Sequence, residues 1–203
     1  MISALKPRRA TFWYLAPDRL VAAVLLRTSE EPLLEACAAS YAHGGAECLF
    51  APGVVELSWV LGAERIGHVA ALAASLCAVR AQDDDAVLDA DDAAAVRVSG
   101  ASELRVHARA QAVTQAHALF RRARLRLLGL DCEPCALSTL AEVLGTGDEL
   151  SPHGADLGNG RRHQPLSAVS IRPDAEKAAH ALGEDLAVPV GLALAWFGTP
   201  RAL

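Results

Sequence analysis

The sequence predicts an all-α, or mainly α, protein: an irregular multi-helix bundle with an Asp-rich linker and a Gly/His-rich loop. Three observations lead there. Hydrophobic residues make up 52% of the 203 residues but aromatics only 4%, so the apolar content is mostly Ala, Leu and Val, suited to closely packed helices rather than to sheets. Apolar residues recur at helical spacing in several segments, and helix start and stop signals bracket many of them. The length suits one domain whose core needs no disulfide or metal. Residues 1–203 are therefore expected to form a single mainly helical domain, with any subdivision falling near 82–100.

Taken in order, Phe12-Trp13-Tyr14 precede Pro17, which suits the first turn of a helix carrying Leu20, Val24 and Leu25 inward. A second helix is expected from Thr28-Ser29-Glu30-Glu31-Pro32 to His43-Gly44-Gly45, where hydroxyl caps, early carboxylates and a terminal glycine coincide. Val54 to Leu61 predicts a short helix stopped by Gly62. A longer one follows from Ala63 to about Arg80 with Ile66, Val69, Ala73 and Leu76 on one face, so the pair reads as a helical hairpin. Six aspartates between Gln82 and Asp92 (83, 84, 85, 89, 91 and 92) mark an acidic linker or solvated helix start. Counted from Asp83, the sixth and twelfth positions of a calcium loop fall on Leu88 and Ala94, which excludes one.

The longest helix is expected to begin after Ser99-Gly100-Ala101-Ser102-Glu103 and to run into Arg126 or beyond, with Val106, Ala110, Val113, Ala116, Phe120, Ala123 and Leu127 forming an apolar stripe. Further helices are expected at Cys135–Leu144, Asp174–Leu182 and Val188–Phe197. Ser151 to Pro165 lacks periodicity and reads as an exposed loop, and Ser167–Ile171 alternates as a short strand would.

Chemistry is sparse. Cys132-Glu133-Pro134-Cys135 has the spacing of a redox disulfide or of half a zinc site, but it follows an Arg-rich helix end and lacks spaced partner ligands. A turn between helices is the plainer reading, and a thiol-redox or zinc protein built on Cys132 and Cys135 is the alternative function. His43, His68, His107, His117, His153, His163 and His180 form no ligand pattern. Gly158-Asn159-Gly160 lacks the strand and helix of a phosphate loop, and no nucleophile elbow is present. No enzyme activity, metal or cofactor is expected.

A net charge of −5 argues against broad attraction to nucleic acid or anionic membranes. No export signal is read at the N-terminus, and the apolar runs fall short of the ~20 residues that span a bilayer. The odd cysteine count suits a reducing cytoplasm. Arg121, Arg122, Arg124 and Arg126 lack the interleaved aromatics of a nucleic-acid surface and read as charge at a helix C-terminus or as a face for an acidic partner. Among the large residues Trp13, Tyr14, Trp59 and Trp196, core packing is the default, with an exposed N-terminal anchor as the alternative. Candidate protein-contact residues are Trp13, Tyr14 and Arg19 in the N-terminal segment, and Arg121, Arg122, Arg124 and Arg126.

Two segments are more specific than composition. Trp13-Tyr14-Leu15-Ala16-Pro17-Asp18-Arg19-Leu20 resembles the opening of the K component (SctK) of the bacterial type III secretion sorting platform, and Val55 to Ile66 resembles that family's helix ending in Leu-Gly with another helix at once behind it. Ala16 stands where several relatives carry histidine, and neither the Asp-rich segment nor Cys-Glu-Pro-Cys belongs to the family pattern. The resemblance covers roughly residues 11–80. It implies a non-enzymatic cytoplasmic adaptor, peripheral to the inner membrane, linking the inner-membrane ring protein to the Q-type pod protein; the net charge and the short apolar runs point to no nucleic-acid partner and no membrane insertion. No individual binding residue carries over from the family.

Overall fold

A computed structural model of the chain describes residues 8–41, 51–81, 92–96, 104–145 and 164–198. Within them the protein is mixed α/β, and the all-α expectation is corrected. The chain opens with strands β1 (Arg9–Leu15), β2 (Arg19–Leu26) and β3 (Leu33–Tyr41), then helix α1 (Ala51–Val60) and strand β4 (Gly67–Leu72). Strands β5 (Cys77–Ala81), β6 (Asp92–Val96) and β7 (Leu104–Arg109) follow, then α2 (Ala110–Arg122), β8 (Leu127–Cys132) and α3 (Glu133–Val143). A two-residue strand β9 (Ser170–Ile171), α4 (Glu176–Leu182) and α5 (Ala187–Phe197) complete the order.

Six strands form the main sheet in the order β8-β4-β1-β2-β3-β9, and a three-stranded sheet has the order β5-β7-β6. β1–β2 and β2–β3 are antiparallel hairpins, whereas β1–β4, β4–β8 and β3–β9 run parallel. Side chains alternate across the sheet and divide the core in two. Phe12, Tyr14, Val21, Ala23 and Leu25 face α3, α4 and α5, while Trp13, Leu15, Leu20, Ala22 and Val24 face α1 and α2. Because both faces are covered, β1 and β2 are buried almost end to end, and they show the continuous apolar runs of a doubly covered sheet rather than polar alternation.

That double burial explains the corrections. Pro17 does not open a helix: it sits in the tight turn between β1 and β2, where the Ala16 N–H donates to the Arg19 carbonyl at 3.0 Å. The expected cap at Thr28 serves a turn instead, its hydroxyl accepting from the Glu30 N–H at 3.3 Å and donating to the Glu31 carbonyl at 2.5 Å, and β3 follows where a helix was expected. Ala63–Arg80 is not a helix but contains β4, a 3-10 turn at Ala74–Leu76 and β5. The stripe assigned to one long helix splits into β7, α2 and the start of β8. Helices do occur near the expected Val54–Leu61, Cys135–Leu144, Asp174–Leu182 and Val188–Phe197, and Gly62 ends the first with φ 57°. The Asp-rich linker up to Asp91 and the Gly/His-rich loop through His163 lie outside the described residues.

α5 is the core helix of one face. The stretch Glu176–Phe197, at 22 residues, is long and apolar enough by composition to cross a membrane. Gly183, at φ 50°, caps α4 and opens the 3-10 turn that leads into α5. Most of α5 is buried against the sheet and α3. Its close approach to α3 depends on Gly191, where a Cβ would lie 2.1 Å from the Ala136 carbonyl oxygen.

Candidate functional site

In open sheets of this kind, ligands bind outside the carboxyl ends of parallel strands where the strand order reverses. Here that point lies between β1 and β4: the chain leaves β1 toward β2 and leaves β4 toward β8. The residues around the crevice are Tyr14 at the end of β1, Ala73 and Ala74 beyond β4, and Cys132 and Glu133 at the junction of β8 with α3. The Glu133 carboxylate is hydrogen-bonded there. One oxygen, Oε2, accepts both the Tyr14 hydroxyl at 3.0 Å and the Ala74 N–H at 2.6 Å. Burial first, then Glu133, raises the Tyr14 phenol well above its ordinary value, so Tyr14 is a neutral hydrogen-bond donor. A backbone amide at such a crevice is a natural anion holder, and in this chain its anion is an internal carboxylate.

Beside the crevice, Arg19 lies over the Tyr14 ring at 5.5 Å and pairs with Asp185 at 3.6 Å, which also accepts from the Tyr41 hydroxyl at 2.7 Å. This network ties the β1–β2 turn and the end of β3 to the 3-10 turn ahead of α5. Charge and hydroxyl are thus satisfied mainly within the chain.

The sequence-derived contact residues fall into two groups at opposite ends of the sheet. Tyr14 and Arg19 lie at the carboxyl end of β1. Arg121, Arg122, Arg124 and Arg126 are exposed around the turn from α2 to β8, at the end where the His68 N–H meets the Arg126 carbonyl at 3.0 Å. Arg121 and Arg122 occupy the last turn of α2, where positive charge complements the helix dipole, and Arg124 takes a left-handed φ of 58°. Trp13 is removed from the contact group, because it is fully buried. It donates its indole N–H to His68 Nδ1 at 3.0 Å and meets Phe120 edge-on at 5.7 Å. His68 is itself buried among aromatics, and burial lowers it to about 4.

Trp59 reverses the core-packing default. On α1, Val54, Leu57 and Ser58 turn inward, as does Leu61 just beyond its end, while Trp59 is 75% exposed, Val60 70% and Val55 42%. An exposed tryptophan flanked by two valines is the kind of apolar patch that marks protein contact sites. The signal was present in the sequence: the inward face of this short helix is complete without Trp59. Glu133 carries no local signal beyond its place between Cys132 and Cys135; its role comes from its contacts with Tyr14 and Ala74, which strand pairing brings to it. Both cysteines are buried, and among the described residues no group of three or more His, Cys, Asp or Glu is placed to hold a metal.

No protein-family model matches the sequence, and no curated protein is similar to it at a significant level. Solved structures do resemble it. A chain of the PilM-PilN type IV pilus biogenesis complex superposes with a TM-score of 0.63 at 13% identity, covering 94% of this chain and 99% of that one. The cytoplasmic domain of EpsL, an inner-membrane component of the type II secretion system of Vibrio cholerae, gives a TM-score of 0.44 at 13% identity over 64% of this chain and 58% of that one. A Bacteroides thetaiotaomicron protein with an actin-like ATPase fold gives 0.40 at 7% identity over 74% and 61%. The first two neighbours are components of bacterial pilus and secretion systems. At 13% identity, the likeness to the PilM-PilN chain is one of fold, and it spans nearly the whole of both chains.

Proposed function

We propose that this chain is a non-catalytic component of a bacterial secretion or pilus assembly, working on its cytoplasmic side by holding a partner protein against α1. The observation that carries this reading is the exposed Trp59, Val60 and Val55 patch. Two others support it. At the strand-order reversal the Tyr14 hydroxyl and the Ala74 N–H are already engaged by Glu133, which leaves an anionic substrate to compete with a tethered carboxylate, and the fold is shared with a chain of a pilus biogenesis complex. The finer role is an adaptor with two contact surfaces, the α1 patch and the arginine-bearing turn from α2 to β8. A link between the inner-membrane ring protein and the Q-type pod protein of a type III system is one form of it. The residues that suggest that family lie on a strand hairpin, on α1 and on the turn that follows it, so the test has to distinguish the assemblies.

Affinity purification of the tagged chain from its native cell, with mass spectrometry, compares wild type with Trp59→Asp. Recovery of an inner-membrane pilus or secretion component by wild type and its loss with Trp59→Asp supports the reading. Recovery of the ring and Q-type pod proteins establishes the type III form. Equal recovery by both proteins, or nucleoside triphosphate hydrolysis that Glu133→Ala enhances, overturns it.

A further inference from the structure

We propose that Cys77 and Cys132 form a reversible dithiol–disulfide pair, closed by a peroxide-class oxidant, that covalently fastens the start of β5 to the junction of β8 and α3. The argument begins with register. β4 and β8 are parallel neighbours, and Leu72 stands directly across from Cys132. After β4 the chain makes the 3-10 turn at Ala74–Leu76 and folds back, so that Cys77 Sγ lies 4.0 Å from the Leu72 carbonyl oxygen. This places the two sulfurs over the same point of the sheet, and the thiols are hydrogen-bonded to each other. Both are buried, 8% and 1% exposed, in one apolar cluster. The Cys132/Cys135 spacing suggests a different pair. Yet Cys132 sits in extended conformation at the helix N-cap and directs its hydrogen bond to Cys77.

The two thiols have unequal roles. The Cys132 thiol donates to the Cys77 sulfur, which lowers Cys77 below an ordinary thiol against burial and the charges of Glu133 and Asp131, with Arg109 acting in the same direction as the hydrogen bond. The same hydrogen bond, with burial, holds Cys132 protonated. Cys77, the more exposed of the two at 8% against 1%, is also the sulfur an oxidant reaches first, and it is the nucleophile. Its thiolate attacks one oxygen of the peroxide, the O–O bond breaks, and the departing hydroxide takes up the proton that Cys77 released, giving water and a Cys77 sulfenic acid. The Cys132 sulfur then attacks that sulfur. The S–S bond forms, the S–O bond breaks, and the hydroxyl leaves as water with the Cys132 proton. Two electrons pass from the thiol pair to the peroxide, and a dithiol reductant reverses the change. The bond closes a loop containing β6, β7 and α2, which restricts the unfolded chain and raises stability. The inference does not depend on the partner-binding reading.

The test treats the full chain with hydrogen peroxide, blocks remaining thiols by alkylation and maps unreduced peptides by mass spectrometry. The expected result is a chain lighter by two hydrogens, a Cys77–Cys132 linked peptide, and a urea midpoint raised until reductant restores it. The link should disappear in Cys77→Ser and persist in Cys135→Ser. A Cys132–Cys135 link overturns the proposal, as does sulfinic acid at Cys77 with Cys132 still free to alkylate, or two thiols unchanged. Since the linkage is mapped on the wild-type chain, a variant that fails to fold does not blunt the test.

Discussion

Gly191→Ala is the sharpest structural perturbation the fold offers. A methyl group there would lie 2.1 Å from the Ala136 carbonyl oxygen, 2.7 Å from the Ala136 carbonyl carbon and 3.3 Å from Leu140 Cβ. The obstruction is the backbone of α3, which cannot swing aside as a side chain can. Relief requires α5 to retreat from α3 by roughly 1.5 Å to reach an ordinary carbon contact. α5 cannot retreat freely, because its other contacts, including the edge-on pair of Phe197 with Phe12 at 5.3 Å, hold it on the sheet. Alanine favours an interior helix position over glycine by ~1 kcal/mol, and overpacking against a fixed backbone costs ~3 kcal/mol at the upper end of its usual range. The net loss is ~2 kcal/mol, a fall in Tm of ~4–8 °C for a domain of this size. Thermal unfolding followed by circular dichroism, with a urea titration beside it, reads the change. A variant as stable as wild type, or more so, would refute the close α3–α5 contact, since helix propensity alone predicts stabilisation.

Three further outcomes are expected. His68 is held at about 4 in the folded chain against an ordinary value of 6.5, so the unfolded state binds a proton that the folded state refuses. Its contribution is intact above about 6.5 and is lost as pH falls toward 4, by up to roughly 3 kcal/mol. Urea midpoints measured across that window should fall, and His68→Phe should flatten the slope; parallel slopes would contradict the burial of the imidazole. Glu133→Ala removes the acceptor shared by Tyr14 and the Ala74 N–H and should cost ~1–3 kcal/mol, while an ultraviolet titration finds the Tyr14 phenol ionising at lower pH. An unmoved phenol titration would break the assignment. Trp59→Asp should leave stability within ~0.5 kcal/mol, as an exposed position allows, while abolishing partner recovery; a collapse in stability would place Trp59 in the core.

The sequence by itself determined the helices that carry their own boundaries. α1 ends at a glycine with a left-handed backbone, α3 begins with Pro134 in its first turn, and α5 is a compact apolar run; each was legible from local chemistry. It also determined that the Arg121–Arg126 cluster is solvent-facing charge, because four arginines in six positions cannot be buried together. What it did not determine was the sheet. β2, β3 and β4 are rich in alanine, which favours helices in isolation, and a strand covered on both faces loses the polar alternation that would identify it. Ile66, Val69, Ala73 and Leu76 fit a helical face on paper only because nearly every position around them is apolar. The tertiary structure decided the rest. Once α3 and α5 covered one side of β1 and α1 and α2 the other, small side chains became the ones that fit between layers. Only the resulting register could bring Glu133 to Tyr14 and Cys132 to Cys77, residues far apart in the chain, because those contacts depend on strand pairing that no local pattern encodes.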